Sequence, residues 1–204
     1  RGALGFTPSY SMHPLIAKVI GVNWRDGGRR ADFSLDTAKA IDEISQVKPA
    51  LTFITTPNNP TGTLLKIAEI ELLAKATSEV NGLLIVDEAY AEFSDEESAV
   101  TLIGKYPNVV VIRTMSKAFA FAGARVGYLV ASTDVVDAMF LVRLPYHLSA
   151  ISQAAAEVAL EYQGELLGTV ATLIESRKKV IAALEGMGLS VAPSSANFIV
   201  FSGF

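Results

Sequence analysis

Three short apolar runs constrain this chain more than any other feature: residues 50–55 (ALTFIT), 83–86 (LLIV) and 109–112 (VVVI). Each is too short for a helix, rich in β-branched residues, and continuous rather than alternating. That pattern marks a parallel strand buried on both faces. Helical spacing separates the runs. Residues 66–80 carry Ile67, Ile70, Leu73, Ala74 and Val80 with Glu69, Glu71, Lys75 and Glu79 between them, and residues 36–44 read as a shorter helix with Asp36 as its N-cap. The alternation β-α-β-α-β predicts an α/β fold built on a parallel sheet.

The polar segment after each run bears on function. The first run leads into Thr56-Pro57-Asn58-Asn59-Pro60-Thr61-Gly62, the second into Asp87-Glu88-Ala89-Tyr90, the third into Thr114-Met115-Ser116-Lys117. Open α/β sheets bind ligands outside the carboxyl ends of their strands, so three polar clusters at three such ends converge on one crevice. Lys117 stands among small and apolar residues, a poor site for solvating an ammonium. Desolvation there lowers a lysine pKa and makes the amine nucleophilic, as carbonyl (Schiff-base) chemistry requires.

Elsewhere the pattern is coarser. Residues 11–21 and 22–24 read as helix then strand, and 126–131 as another buried strand in which Gly127 admits close backbone approach. Residues 134–141 and 149–162 read as helices, and 165–184 as a long helix ending at Gly186 or Gly188. Residues 189–192 and 197–201 read as short strands of a second layer that the chain does not complete.

Composition excludes several classes. Half of the 204 residues are apolar, enough for one good core or one and a half domains. A net charge of −4 with no basic stripe argues against nucleic acid or anionic lipid as partners. The absence of cysteine excludes disulfides and thiolate metal sites and fits a reducing, cytoplasmic setting. The two histidines, His13 and His147, are far apart, so no metal site is expected, and packing or surface roles are assigned to both. The acidic run Asp95-Glu96-Glu97 reads as a solvated loop. No apolar run approaches the ~18 residues of a membrane span, and no signal-peptide pattern opens the chain. The chain opens on Arg1 and closes on an apolar run, which reads as a fragment of a longer protein.

The series P-N-N-P-T-G, D-E-A-Y, S-K and R-x-G resembles the fold-type I pyridoxal-phosphate (PLP) aminotransferases, and residues 86–93 (VDEAYAEF) resemble the histidinol-phosphate aminotransferase branch. The motifs stand in the family's order, with 28 residues from Asn59 to Asp87, 30 from Asp87 to Lys117 and 8 from Lys117 to Arg125. The resemblance covers nearly the whole chain. It implies a large PLP-binding domain over residues 1–163, then a connecting helix and the start of a smaller α+β domain over 164–204.

It also implies roles. Lys117 would hold the cofactor and shuttle the substrate proton. Asp87 would pair with the pyridine nitrogen, where the alternative is a strand-end carboxylate capping a backbone N–H. Asn59 and Tyr90 would hydrogen-bond the cofactor's phenolic oxygen; without the resemblance, Asn58-Asn59-Pro60 is a turn and Tyr90 a core aromatic. Arg125, Ser116 and Thr114 would hold the phosphate, a buried arginine at a strand start needing an anion, with an ion pair to Asp or Glu as the other reading. Tyr10 would stack on the cofactor ring or serve as core. Arg143-Leu144-Pro145-Tyr146 resembles a stretch near the family's dimer interface, so a homodimer is implied. The family's N-terminal phosphate loop and its carboxylate-binding arginine have no counterpart among these residues, and Arg177, inside the long helix, is no substitute.

The implied reaction moves an amino group between histidinol phosphate and 2-oxoglutarate. An aromatic amino-acid aminotransferase or a threonine-phosphate decarboxylase on the same scaffold stays open, as does a non-catalytic PLP-binding or dimerisation module of a regulator. A nucleotide-binding P-loop does not, since Gly104-Lys105 lacks the upstream glycine and the hydroxyl.

Overall fold

The computed structural model describes residues 1–203. Six strands form one sheet in the order β2-β1-β3-β4-β5-β6. They are β1 (Ala3–Gly5), β2 (Trp24–Asp26), β3 (Leu51–Thr55), β4 (Leu83–Asp87), β5 (Val109–Thr114) and β6 (Gly127–Val130). The first five pair in parallel and β6 runs antiparallel to β5. The helices are α1 (Met12–Val19), α2 (Thr37–Val47), α3 (Ile67–Glu79), α4 (Thr133–Val142), α5 (Ala150–Glu161) and α6 (Gln163–Gly186). A separate two-stranded antiparallel ribbon joins β7 (Ser190–Val191) to β8 (Phe201–Ser202). No helix among the described residues is long and apolar enough to cross a membrane.

The three apolar runs are β3, β4 and β5, side by side at the sheet centre. Ile54, Leu84, Val86, Val109 and Val111 are at most 1 % exposed. They pack with Ile44 of α2 and Ile70 and Leu73 of α3 in one core. Burying each such side chain contributes about 1.5–3 kcal/mol. A second core gathers Tyr90, Phe93, Met115 and Phe119 against Ala159 of α5 and Val170 of α6.

Caps fix the helix starts. The Lys39 N–H donates to Asp36 Oδ1 (3.1 Å), as the sequence predicts. That bond, then Arg30, holds the Asp36 carboxyl below its usual range. At α3 the Ile67 N–H donates to Glu96 Oε1 (2.9 Å) and the Lys66 N–H to Glu69 Oε2 (3.0 Å). Glu96 is therefore a half-buried helix cap rather than part of a solvated loop.

Several expectations need correction. The strand expected over 22–24 lies at Trp24–Asp26, because the Val22 N–H still bonds to Ala17 O (2.8 Å) and closes α1. β1 carries no β-branched residue and was not foreseen, yet it is fully buried between β2 and β3. β6 is not a buried strand: it is the sheet's antiparallel edge, and Tyr128 is 47 % exposed. The second-layer strands are shorter than expected, two residues each.

Candidate active site

The connection from β1 leads outward to β2, while that from β3 leads the other way to β4, so the strand order reverses between β1 and β3. Such a switch point opens a crevice at the carboxyl ends of the two strands. Tyr10 follows β1 and Asn59 follows β3. Together with Asp87, Tyr90, Thr114, Ser116, Lys117 and Arg125 they line one cleft of about 300 Å³. All eight predicted residues therefore meet, from the loops after the strands and the turn before β6.

Asp87 is buried at the end of β4, 7 % exposed. Its Oδ1 accepts the Ala89 N–H (3.1 Å), so the capping role is real. Its Oδ2 lies 3.3 Å from Nε2 of His13. His13 thus touches the site as well as packing between rings, which corrects the surface alternative. It is wedged between the Phe53 ring (centroids 4.8 Å apart) and the edge of Tyr10 (5.3 Å). No helical spacing marked it, since Tyr10 precedes the Ser11 cap and lies outside the helix.

Asn59 Nδ2 donates to the Tyr90 hydroxyl (3.2 Å). Having accepted there, the hydroxyl keeps its own hydrogen to donate elsewhere. Tyr90 is buried and meets Phe198 edge-on at 4.9 Å, which ties the site to the second layer. The Asn59 loop requires glycine at 62: its φ is +78°, and a Cβ there would lie 2.3 Å from Ser194 Oγ.

Lys117 is exposed, with Nζ 5.6 Å from the Tyr90 ring centroid. The described residues do not build the apolar shield expected around its ammonium; the small side chains beside it leave it open. Arg125 is likewise exposed rather than buried, in left-handed backbone (φ +57°), and its Nη1 donates to Ala122 O (2.9 Å). It forms no ion pair among the described residues, against the ion-pair alternative. Thr114 Oγ1 donates to Ser116 Oγ (2.9 Å) and accepts the Ser116 N–H (3.1 Å), so the two hydroxyls share one corner.

Arg113 also lines the cleft and was not foreseen. Its Nε and Nη2 donate to Glu88 Oε2 (3.0 and 2.7 Å) and its Nη1 to Glu92 Oε1 (3.1 Å). Burial works against its charge, but Glu88 outweighs burial and raises the guanidinium pKa. With its donors committed to carboxylates, Arg113 leaves Arg125, bonded to a backbone carbonyl, as the cleft's guanidinium outside any ion pair. Arg177 Nη1 donates to Ala196 O (2.6 Å), remote from the cleft, as its helix position implied. Among the described residues no group of His, Asp and Glu could hold a metal.

The sheet, its flanking helices and this cleft have the pyridoxal-phosphate-transferase fold. Two solved structures align over 98 % of the chain at 26 % identity: histidinol-phosphate aminotransferase from Sinorhizobium meliloti in complex with pyridoxal-5'-phosphate (TM-score 0.89, 55 % of that chain) and the enzyme of the same name from Clostridium acetobutylicum (TM-score 0.90, 60 % of that chain). The family model for aminotransferase class I and II matches residues 1–204, and the chain belongs to that family. It is 54 % identical over 206 residues to the histidinol-phosphate aminotransferase of Mycolicibacterium vanbaalenii and 52 % over 205 to that of Nocardia farcinica. It spans 55 % and 52 % of those proteins, about half the length of the curated relatives it matches.

Proposed function

We propose that the protein catalyses PLP-dependent transamination between histidinol phosphate and 2-oxoglutarate. The observation that carries this reading is the meeting of Lys117, Asp87, Asn59, Tyr90 and the Thr114–Ser116–Arg125 corner in one cleft, in a chain 50–54 % identical to the curated relatives of that name. The donor set fits the cofactor. An exposed amine would take its carbonyl, a buried carboxylate its ring nitrogen, two neutral donors its phenolic oxygen, and two hydroxyls with a guanidinium outside any ion pair its phosphate.

Pyridoxal phosphate, when bound, supplies a carbonyl that exchanges amines and a ring that accepts the electron pair released at the substrate Cα. Lys117 Nζ would anchor it and would carry the substrate Cα proton. Asp87 would keep the ring nitrogen protonated, and the 3.3 Å contact from His13 fixes the carboxylate's orientation. Asn59 Nδ2 and the remaining Tyr90 hydrogen would donate to the phenolic oxygen and steady its negative charge. Tyr10, half-exposed beside His13, covers one side of the cleft.

Absorbance titration with pyridoxal phosphate, beside Lys117→Ala, tests the reading. It should be run on the protein expressed at its relatives' length and followed by borohydride reduction and mass mapping. The expected result is a visible band and a reduced adduct on Lys117, both absent from the variant. Amino transfer from histidinol phosphate should exceed that from aromatic amino acids. Release of carbon dioxide from threonine phosphate would redirect the assignment to a decarboxylase, and cofactor binding without turnover to a regulatory module.

The same reading includes a homodimer and a division at residues 163/164. The first is supported by an exposed apolar stretch, with Leu141 87 %, Leu144 73 % and Tyr146 99 % exposed. The second is supported by α6 starting at Gln163 and by the separate β7–β8 ribbon. A monodisperse monomer at micromolar concentration in light scattering would sink the dimer.

A further inference from the structure

Asn58, beside the cleft but not lining it, has no part in the transamination chemistry, yet it is wholly buried. Every polar atom it has is engaged. Its Nδ2 donates to Pro8 O (3.0 Å) and to Thr61 Oγ1 (2.7 Å), and its Oδ1 accepts from Ser9 Oγ (2.8 Å). Its backbone N–H donates to Thr63 O (2.8 Å), and its carbonyl accepts the Gly62 N–H (2.6 Å).

The direction of these bonds is fixed. Pro8 O can only accept, so Nδ2 must face it and the amide cannot be turned over. Thr61 Oγ1, having accepted from Nδ2, has one hydrogen left for Thr63 Oγ1 at 2.9 Å. Thr63 Oγ1 in turn donates to Phe33 O (3.2 Å). There the chain of bonds meets Arg29, whose Nη1 also donates to Phe33 O (3.2 Å) and whose Nε donates to Phe6 O (3.1 Å) at the end of β1. Arg29 has no carboxylate partner among the described residues, and its Nη2 is buried with no hydrogen-bond acceptor. A guanidinium kept inside in this way is held by its carbonyls, and it closes the network at both strand ends.

Ser9 directly precedes Tyr10, and Asn58 directly precedes Asn59. We propose that Asn58 is a positioning residue whose side-chain amide locks the Tyr10 loop to the Asn59 loop and so sets the width of the cofactor cleft. This rests on the reading of the cleft as a cofactor site.

The test uses the protein at its relatives' length, wild type beside Asn58→Asp and Ser9→Ala. Asn58→Asp is nearly isosteric but turns an acceptor toward Pro8 O. Three readouts are needed: far-UV circular dichroism for the fold, adduct mapping for the attachment point, and affinity with the visible circular dichroism band of bound pyridoxal phosphate. The expected result is attachment still on Lys117, affinity about tenfold weaker and a reduced visible band in Asn58→Asp at temperatures where the fold is intact. Ser9→Ala should move the same way, by less. A merely structural role lowers the melting temperature and leaves the band and affinity of folded protein unchanged, and that result overturns the proposal. Should Asn58→Asp fail to fold, Ser9→Ala decides alone: an unchanged band and affinity overturn the proposal, a weakened pair upholds it. A wild type without adduct on Lys117 overturns the cofactor reading itself, which separates the two failures.

Discussion

Asp26, at the end of β2, seats the loop that carries Tyr10. Its Oδ1 accepts the N–H groups of Thr7 and Gly28, each at 2.9 Å, and its Oδ2 accepts the Thr7 hydroxyl. Burial alone would raise its pKa from the ordinary 3.8, but the Thr7 hydroxyl, the Thr7 N–H and the Gly28 N–H outweigh it and hold the carboxyl lower. A carboxyl depressed in the fold adds stability above its unfolded pKa and loses it as pH falls through the folded value. Urea unfolding of Asp26→Asn and wild type should therefore differ at pH 7 and converge as the pH falls through the lowered folded value. A gap that persists at low pH would show that the charge is not what matters. Arg125 permits a similarly clean experiment. Asparagine tolerates its left-handed backbone and valine does not. Arg125→Asn should stay within about 0.5 kcal/mol of wild-type stability while weakening cofactor binding, and Arg125→Val should lose stability as well. Equal melting temperatures for the two would remove the backbone argument. Asn59, Asp87, Tyr90, Thr114, Ser116 and Lys117 were legible because each lies in a strand-end motif, whereas Tyr10 and Arg125 were named through the family resemblance. Their exposure was not: Lys117 and Arg125 sit among apolar neighbours in sequence, and which neighbours fold over them depends on tertiary structure. His13 escaped for the converse reason, since its partner Asp87 is distant in sequence and no local pattern joins them.

At the level of elements, β3, β4 and β5 declared themselves by continuous apolar runs, and α2 by its cap. β1 did not, because Ala3-Leu4-Gly5 is too short to carry a period. β6 was misjudged because an apolar run looks the same at the edge of a sheet as at its centre; only strand order separates them. Glu96 shows how an acidic surface run can conceal a cap, its carboxylate meeting an N–H 29 residues upstream in sequence. Replacing Glu96 with alanine should cost about 0.5–2 kcal/mol in chemical denaturation, as lost caps do, while Glu97→Ala should cost almost nothing. If the two replacements prove equal, the cap contributes no stability.

For the whole molecule, strand order has a consequence for how the protein comes into being. β1 precedes its partners β2 and β3 in the chain yet lies inside the sheet, paired to β2 on one side and to β3 on the other. Its flank is sealed only when the Ala50 N–H reaches Gly2 O (2.8 Å). Parallel pairings of this kind close long loops before any contact offsets the lost entropy, and they slow assembly. Helices have no such delay. After dilution from denaturant, the far-UV helical signal should therefore recover ahead of the visible signal of captured cofactor, and simultaneous recovery would refute that order. In that interval the chain would hold helix without a binding cleft, its apolar strands open and the cofactor with nowhere to lodge.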